Sequence, residues 1–142
     1  MLKVAVVDGQ GGGIGSVIVK RLRDEFDDAV EIIALGTNSS ATTSMLRAKA
    51  NRGATGENAI VLNSNRVDVI TGPLSIVIAN SMMGELTPKM AQGIAESKAK
   101  KILLHLNQEG IEVVGGAREP LPHQVDCLIE KVKNLIGGQT HV

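Results

Sequence analysis

Residues 2–26 read as one unit, and no other stretch constrains the fold as much. A β-branched apolar run, "LKVAVV" (Leu2–Val7), leads into "GQGGGIG" (Gly9–Gly15), five glycines in seven residues. Ile14, Val17, Ile18, Leu22 and Phe26 then recur at helical spacing, with Lys20, Arg21, Arg23, Asp24 and Glu25 mostly opposite them. A run apolar on both faces is the pattern of a parallel strand covered by helices on both sides. Glycine loses more conformational freedom on folding than any other residue, so five of them between strand and helix need a physical reason.

The rest of the chain repeats the alternation. "VEIIAL" (Val30–Leu35) is a second buried-type strand, and "GTNSSATTSMLRAKA" supplies a turn, several candidate N-caps and a helix around Met45, Leu46 and Ala48. "GATGENAIVLN" (Gly53–Asn63) reads as a short helix after a glycine-rich turn, and "RVDVITGP" as a third strand ending near Thr71. The apolar run "LSIVIANSMM" fits strand or helix by periodicity; a short helix suits its place after Gly72-Pro73. Thr87-Pro88 starts a helix that continues to about Ala99. "KILLHL" is a fourth strand; "NQEG" turns into "IEVVG", a fifth strand expected to pair antiparallel at an edge; Pro120 to Ile136 forms a closing helix. The expected architecture is one three-layer α/β domain over residues 1–137, with residues 138–142 as a tail. Its mainly parallel five-stranded sheet takes the order 2-1-3-4-5.

In such a sheet the loop after the first strand faces the crevice where strand order reverses. A helix starting there points unpaired N–H groups and the positive end of its dipole into that crevice, and glycines let a phosphate approach the backbone closely. Asp8, Gly9, Gln10, Gly11, Gly12, Gly13, Ile14 and Gly15 therefore form a candidate anion cradle; the alternative is that the glycines only allow close strand–helix packing. The pattern GxGxxG fails here, whereas GxxxGxG fits Gly9, Gly13 and Gly15, so the loop resembles that of short-chain dehydrogenases. Their catalytic Tyr has no counterpart, since the chain contains no tyrosine, and no Lys-Ser/Thr pair follows to make a P-loop.

Gly36, Thr37, Asn38 and Ser39 lie at the carboxyl end of the second strand and make a second candidate anion site, or else plain N-capping. Nothing acidic lies between Glu31 and Glu57 to hold a dinucleotide's ribose hydroxyls, so a 2′-phosphate suits this loop better and NADP is preferred over NAD as the expected cofactor. Gly72, Asn80, Ser81 and Glu85 follow the third strand and are expected at the same edge. Asp8 has three options there: ribose, a metal-bound water, or the loop's own N–H groups, with the last preferred.

Over nearly its whole length the sequence resembles a small bacterial family catalogued as a domain of unknown function. The resemblance rests on "DGQGGGIG" (Asp8–Gly15), "EIIALGTN" (Glu31–Asn38), "GATGENAI" (Gly53–Ile60), "IANSMMGELTP" (Ile78–Pro88) and "EPLPH" (Glu119–His123). It implies a Rossmann-like domain and brings no established activity or catalytic residue.

Composition narrows the function classes. Fifteen basic and fifteen acidic residues balance, and Phe26 is the only aromatic residue, which argues against nucleic-acid binding. No apolar stretch reaches the roughly 20 residues that span a bilayer, and no signal-peptide pattern opens the chain, so a cytoplasmic protein is expected. His105, His123 and His141 are too scattered for a metal site, and His105 reads as a core histidine against a covering helix. Cys127 reads as a small buried side chain. Glu57 and Asn58 are caps or ligands. The expected function is a nucleotide or dinucleotide binder, with dimerisation completing a site that so small a unit cannot enclose. The alternatives are a non-catalytic sensor or accessory subunit, and a small enzyme on a phosphorylated or carboxylated metabolite using Asp8, Glu85 or His105.

Overall fold

The computed structural model describes residues 1–106, 110–115 and 119–140. β1 (Leu2–Asp8), β2 (Val30–Gly36), β3 (Arg52–Thr55), β4 (Val69–Pro73) and β5 (Lys100–Leu104) form one sheet in the order β3-β2-β1-β4-β5, with every pairing parallel. The helices are α1 (Gly13–Phe26), α2 (Ser39–Arg47), α3 (Glu57–Asn63), α4 (Pro88–Glu96) and α5 (Leu121–Thr140).

Alternation along the strands sends side chains to opposite faces, and each face has its own core. Val4, Val6, Ile32, Ala34, Val69, Ile102 and Leu104 pack beneath α1, α2 and α5, against Ile18, Leu22, Met45, Leu128 and Val132. Ala5, Val7, Ile33, Leu35 and Ile70 pack against Ile60 of α3 and Met90, Ala91 and Ile94 of α4. β1 and β2 are apolar on both sides because both sides are covered, the reason their sequences show no polar alternation.

The three-layer class holds and three details differ. The fifth strand is not Ile111–Gly115 but Arg52–Thr55, on the opposite edge beside β2. An edge strand needs only one partner, and Arg52, Gly53 and Thr55 are exposed, so the apolar signal of the central strands is absent. Residues 111–115 lie between Gly110 (φ +77°) and Gly115 (φ +80°) with Ile111, Val113 and Val114 exposed, so no second layer buries them as a strand. The expected turn at Asn107–Gly110 falls mostly outside the described residues. The run from Leu74 to Met83 becomes two 3-10 turns, Leu74–Val77 and Met82–Gly84. α5 continues through Gly137 and Gly138 to Thr140, past the expected end at Ile136; a glycine in a helix costs only about 1 kcal/mol.

Candidate functional site

Strand order reverses at β1: the chain proceeds to β2 and β3 on one side, then returns to β4 on the other. The carboxyl ends of β1 and β4 flank a cavity of about 210 Å³. Its walls are Asp8, Gly9, Gln10 and Ile14 from the glycine loop, Pro73 and Ser75 after β4, Met82, and Leu106 after β5. The crevice is where the sequence places it, although Pro73, Ser75, Met82 and Leu106 were not singled out.

Asp8 ends β1 and is 4% exposed. Its Oδ1 accepts from the Gly9 N–H at 2.8 Å and its Oδ2 from the Gly15 N–H at 2.6 Å. Burial pushes its carboxyl above the ordinary aspartate value; the N–H groups of Gly15, Gly9 and Ile14 oppose that shift, and the Glu85 charge adds to it. The start of α1 is thus capped from inside by the preferred option, a carboxylate on the loop's own N–H groups.

The glycines divide into two classes. Gly12 sits at φ +72°, and a Cβ there would lie 2.8 Å from the Ala41 backbone. At Gly15 it would lie 2.6 Å from Met45 Sδ, and at Gly36 2.2 Å from Thr42 Oγ1. These positions serve close packing against α2. At Gly11 and Gly13 a Cβ meets nothing within 4 Å, so their backbone stands open to a ligand. Gly9 lies between: its Cβ would meet Met82 Sδ and Thr37 Oγ1 at 2.6 Å, because the chain after β4 and the chain after β2 both close over it.

That covering segment is a strap. Asn80 (φ +67°), Met82 (φ +57°), Met83 (φ +57°) and Gly84 (φ +90°) all adopt left-handed backbone. Non-glycine residues there store of order 1–3 kcal/mol each and persist only where the surroundings hold them. Ser81 is buried and donates to Ser75 O at 2.6 Å, while the Asn80 N–H bonds Leu86 O at 2.8 Å. Ser81 and the exposed Asn80 therefore build the strap and do not line the cavity. Met83 is 97% exposed at the tip.

Glu85 follows the strap and reaches the glycine loop and the carboxyl end of β2. Its Oε1 accepts from the Gln10 N–H at 2.8 Å, Thr37 Oγ1 at 2.7 Å and Asn38 Nδ2 at 2.8 Å. The Gln10 N–H, then Thr37, hold its carboxyl below the ordinary glutamate value against a smaller effect of burial, with Asn38 adding to the lowering. A depressed pKa contributes stability above the unfolded value, 4.5, and that contribution is lost as pH falls through the folded value. Glu85→Gln should therefore flatten the acid side of the stability curve, from about pH 4.5 downward. Denaturant midpoints of both proteins from pH 6 to pH 3 check this, and parallel curves would refute it.

Asn38 caps α2 through Oδ1, which accepts from the Ala41 N–H at 2.9 Å, and its Nδ2 also reaches Gln10 O at 3.0 Å. Thr37 and Asn38 are thereby joined to the glycine loop through Glu85, whereas Ser39 is exposed on the first turn of α2. Gly72 (φ +153°) is a packing position, with its would-be Cβ 2.3 Å from Val7 O. Glu57 is resolved as a partner of the α4 cap, accepting from Thr87 Oγ1 at 2.5 Å.

His105 is half-buried where Gln124 of α5 bonds its backbone on both sides, and its Nδ1 is buried without a partner. Cys127 is exposed, contrary to expectation: the buried stripe of α5 runs through Val125, Leu128, Ile129 and Val132, and position 127 turns off it. Among the described residues no helix is long and apolar enough to cross a membrane.

The chain belongs to a family described as a domain of unknown function (DUF3842), whose model matches residues 3–137. No curated protein matches the sequence. Among solved structures, a dodecameric FMN-dependent Ubix-like decarboxylase from Escherichia coli O157:H7 is similar, at TM-score 0.51 and 14% identity, over 96% of this chain and 95% of that one. A universal stress protein in complex with cAMP aligns at TM-score 0.42 and 17% identity, over 74% of this chain and 98% of that one. The decarboxylase likeness establishes a shared fold.

Proposed function

We propose that this protein binds a nucleotide or dinucleotide in the crevice between β1 and β4, with the ligand's phosphate along the open face of the glycine loop. The observation that supports this most is the position of the cavity. It lies at the reversal of strand order and is walled by Asp8, Gly9, Gln10 and Ile14, where ligands of open parallel sheets bind. At about 210 Å³ it accommodates one portion of such a ligand, and the open backbone at Gly11 and Gly13 accommodates the rest along the surface. The decarboxylase that shares the fold is FMN-dependent, which adds a precedent at the level of architecture.

The chain has no tryptophan or tyrosine, so a co-purified nucleotide dominates the near-ultraviolet spectrum of the protein. That spectrum is the first test, followed by mass spectrometry of whatever denaturation releases and by melting curves with added FMN, NAD, NADP and adenosine 5′-phosphate.

Gly13→Asp separates binding from folding. Nothing lies within 4 Å of the new Cβ, and an acidic residue in the first turn of α1 is stabilising by about 0.3–1 kcal/mol. The variant is expected to melt at or slightly above the wild-type temperature while its charge repels the phosphate and binding falls at least about tenfold. Retention of full affinity would remove the glycine loop from the site.

A further inference from the structure

Glu85 supplies, from a distant part of the chain, the acidic group that β2 lacks. In dinucleotide-binding sheets a carboxylate at the end of the second strand accepts hydrogen bonds from the ribose hydroxyls. Here β2 ends in Gly36, Thr37 and Asn38, with no acidic residue between Glu31 and Glu57. The strap nevertheless brings a carboxylate to that place, from 48 residues beyond Thr37 in sequence. Oε1 is fixed by three donors, one from the glycine loop and two from the end of β2. Oε2 has no hydrogen-bond partner among the described residues, which leaves an ionised acceptor beside the loop whose backbone is open at Gly11 and Gly13.

We infer that Glu85 is the specificity-determining residue of the crevice, selecting a nucleotide whose ribose 2′- and 3′-hydroxyls are free and rejecting one phosphorylated at the 2′-oxygen. The inference rests on the nucleotide reading above and refines it. A diol donates to Oε2 and satisfies it, whereas a 2′-phosphate places a second negative charge against a carboxylate that Gln10, Thr37 and Asn38 hold in position. The expectation of NADP over NAD, drawn from a neutral "GTNSS" loop, is thereby reversed, because the charge at that loop enters from the strap.

The test uses two ligand pairs that differ only at the 2′-oxygen: NAD with NADP, and adenosine 5′-phosphate with adenosine 2′,5′-bisphosphate. Each is titrated calorimetrically into the wild type and Glu85→Gln. The glutamine keeps Oε1 for its three donors and replaces only the unpartnered oxygen, so the fold is retained; a melting curve checks this. The wild type is expected to favour the 2′-hydroxyl member of each pair at least about tenfold, and the variant to bring the two within about threefold. Equal binding by the wild type, or preference for the 2′-phosphorylated members, overturns the inference and leaves the nucleotide reading standing. Tighter binding of all four by the variant also overturns it, because the carboxylate then only occupies an anion's place. Failure of all four and of FMN to bind either protein overturns the nucleotide reading, and the inference with it.

Discussion

Gly72→Ala should melt about 6–18 °C below the wild type. Gly72 lies in β4, directly beside β1, at φ +153°, and a Cβ built there stands 2.3 Å from Val7 O. The atom in the way belongs to backbone at the centre of the sheet, so no side chain can turn aside to relieve it. The unfavourable dihedral contributes about 1–3 kcal/mol and overpacking a similar amount. At about 3 °C per kcal/mol for a chain of this size, the sum of about 2–6 kcal/mol lowers the melting temperature by about 6–18 °C. Gly13→Ala is the control: its Cβ meets nothing within 4 Å, and exchange of glycine for alanine in a helix is neutral to stabilising by up to about 1 kcal/mol. Calorimetric scans of the two variants decide the matter. A Gly72→Ala protein melting within two degrees of the wild type would show that the close approach of β4 to β1 is not needed.

The second large effect is expected at Asp8. Both its oxygens accept backbone N–H groups, Gly9 at 2.8 Å and Gly15 at 2.6 Å. In Asp8→Asn one oxygen becomes an NH₂ that must face one of those donors. A buried donor left without an acceptor costs about 1–3 kcal/mol, and Asp8→Ala, which strands both, about twice that. The change also removes a charge that burial disfavours, and this offsets part of the loss at neutral pH. The pH dependence follows from the direction of the shift. A carboxyl held above its unfolded value of 3.8 contributes stability that is fully present below that value and fades as pH rises through the folded one. The deficit of Asp8→Asn relative to wild type should thus be larger at pH 3.5 than at pH 7, the opposite sense to Glu85→Gln. Urea midpoints at the two pH values measure it, and a larger deficit at pH 7 would contradict the account of Asp8.

The sequence shows the central strands plainly because parallel strands between two layers must be apolar throughout, as Val4–Val7 and Ile32–Leu35 are. It does not show β3. Arg52, Gly53 and Thr55 lie at an edge and face solvent, so neither periodicity nor propensity marks them as strand. The glycine loop is legible as a tight turn into a helix, but the purpose of each glycine is not. The neighbours that forbid a Cβ at Gly12, Gly15 and Gly36 are Ala41, Met45 and Thr42, all contributed by α2. Glu85 is visible as a polar residue near the crevice, yet its junction with Thr37 and Asn38 depends on a run of left-handed residues that only Gly84 announces.

The strand order also governs the sequence of events as the chain is synthesised. β1 emerges before the other strands of its sheet and lies in the middle of it, with Leu2 opposite Val30 on one side and Val4 opposite Val69 on the other. β1, β2 and β3 can pair once Thr55 has emerged, but one edge of β1 stays bare until β4 has left the ribosome. At about 5–20 residues per second, that edge remains open for seconds after β1 itself appears. Val4, Ala5 and Val6 lie along it, an uncovered apolar ribbon in a nascent chain, so the interval before β4 docks is the period in which a holding chaperone has something to bind.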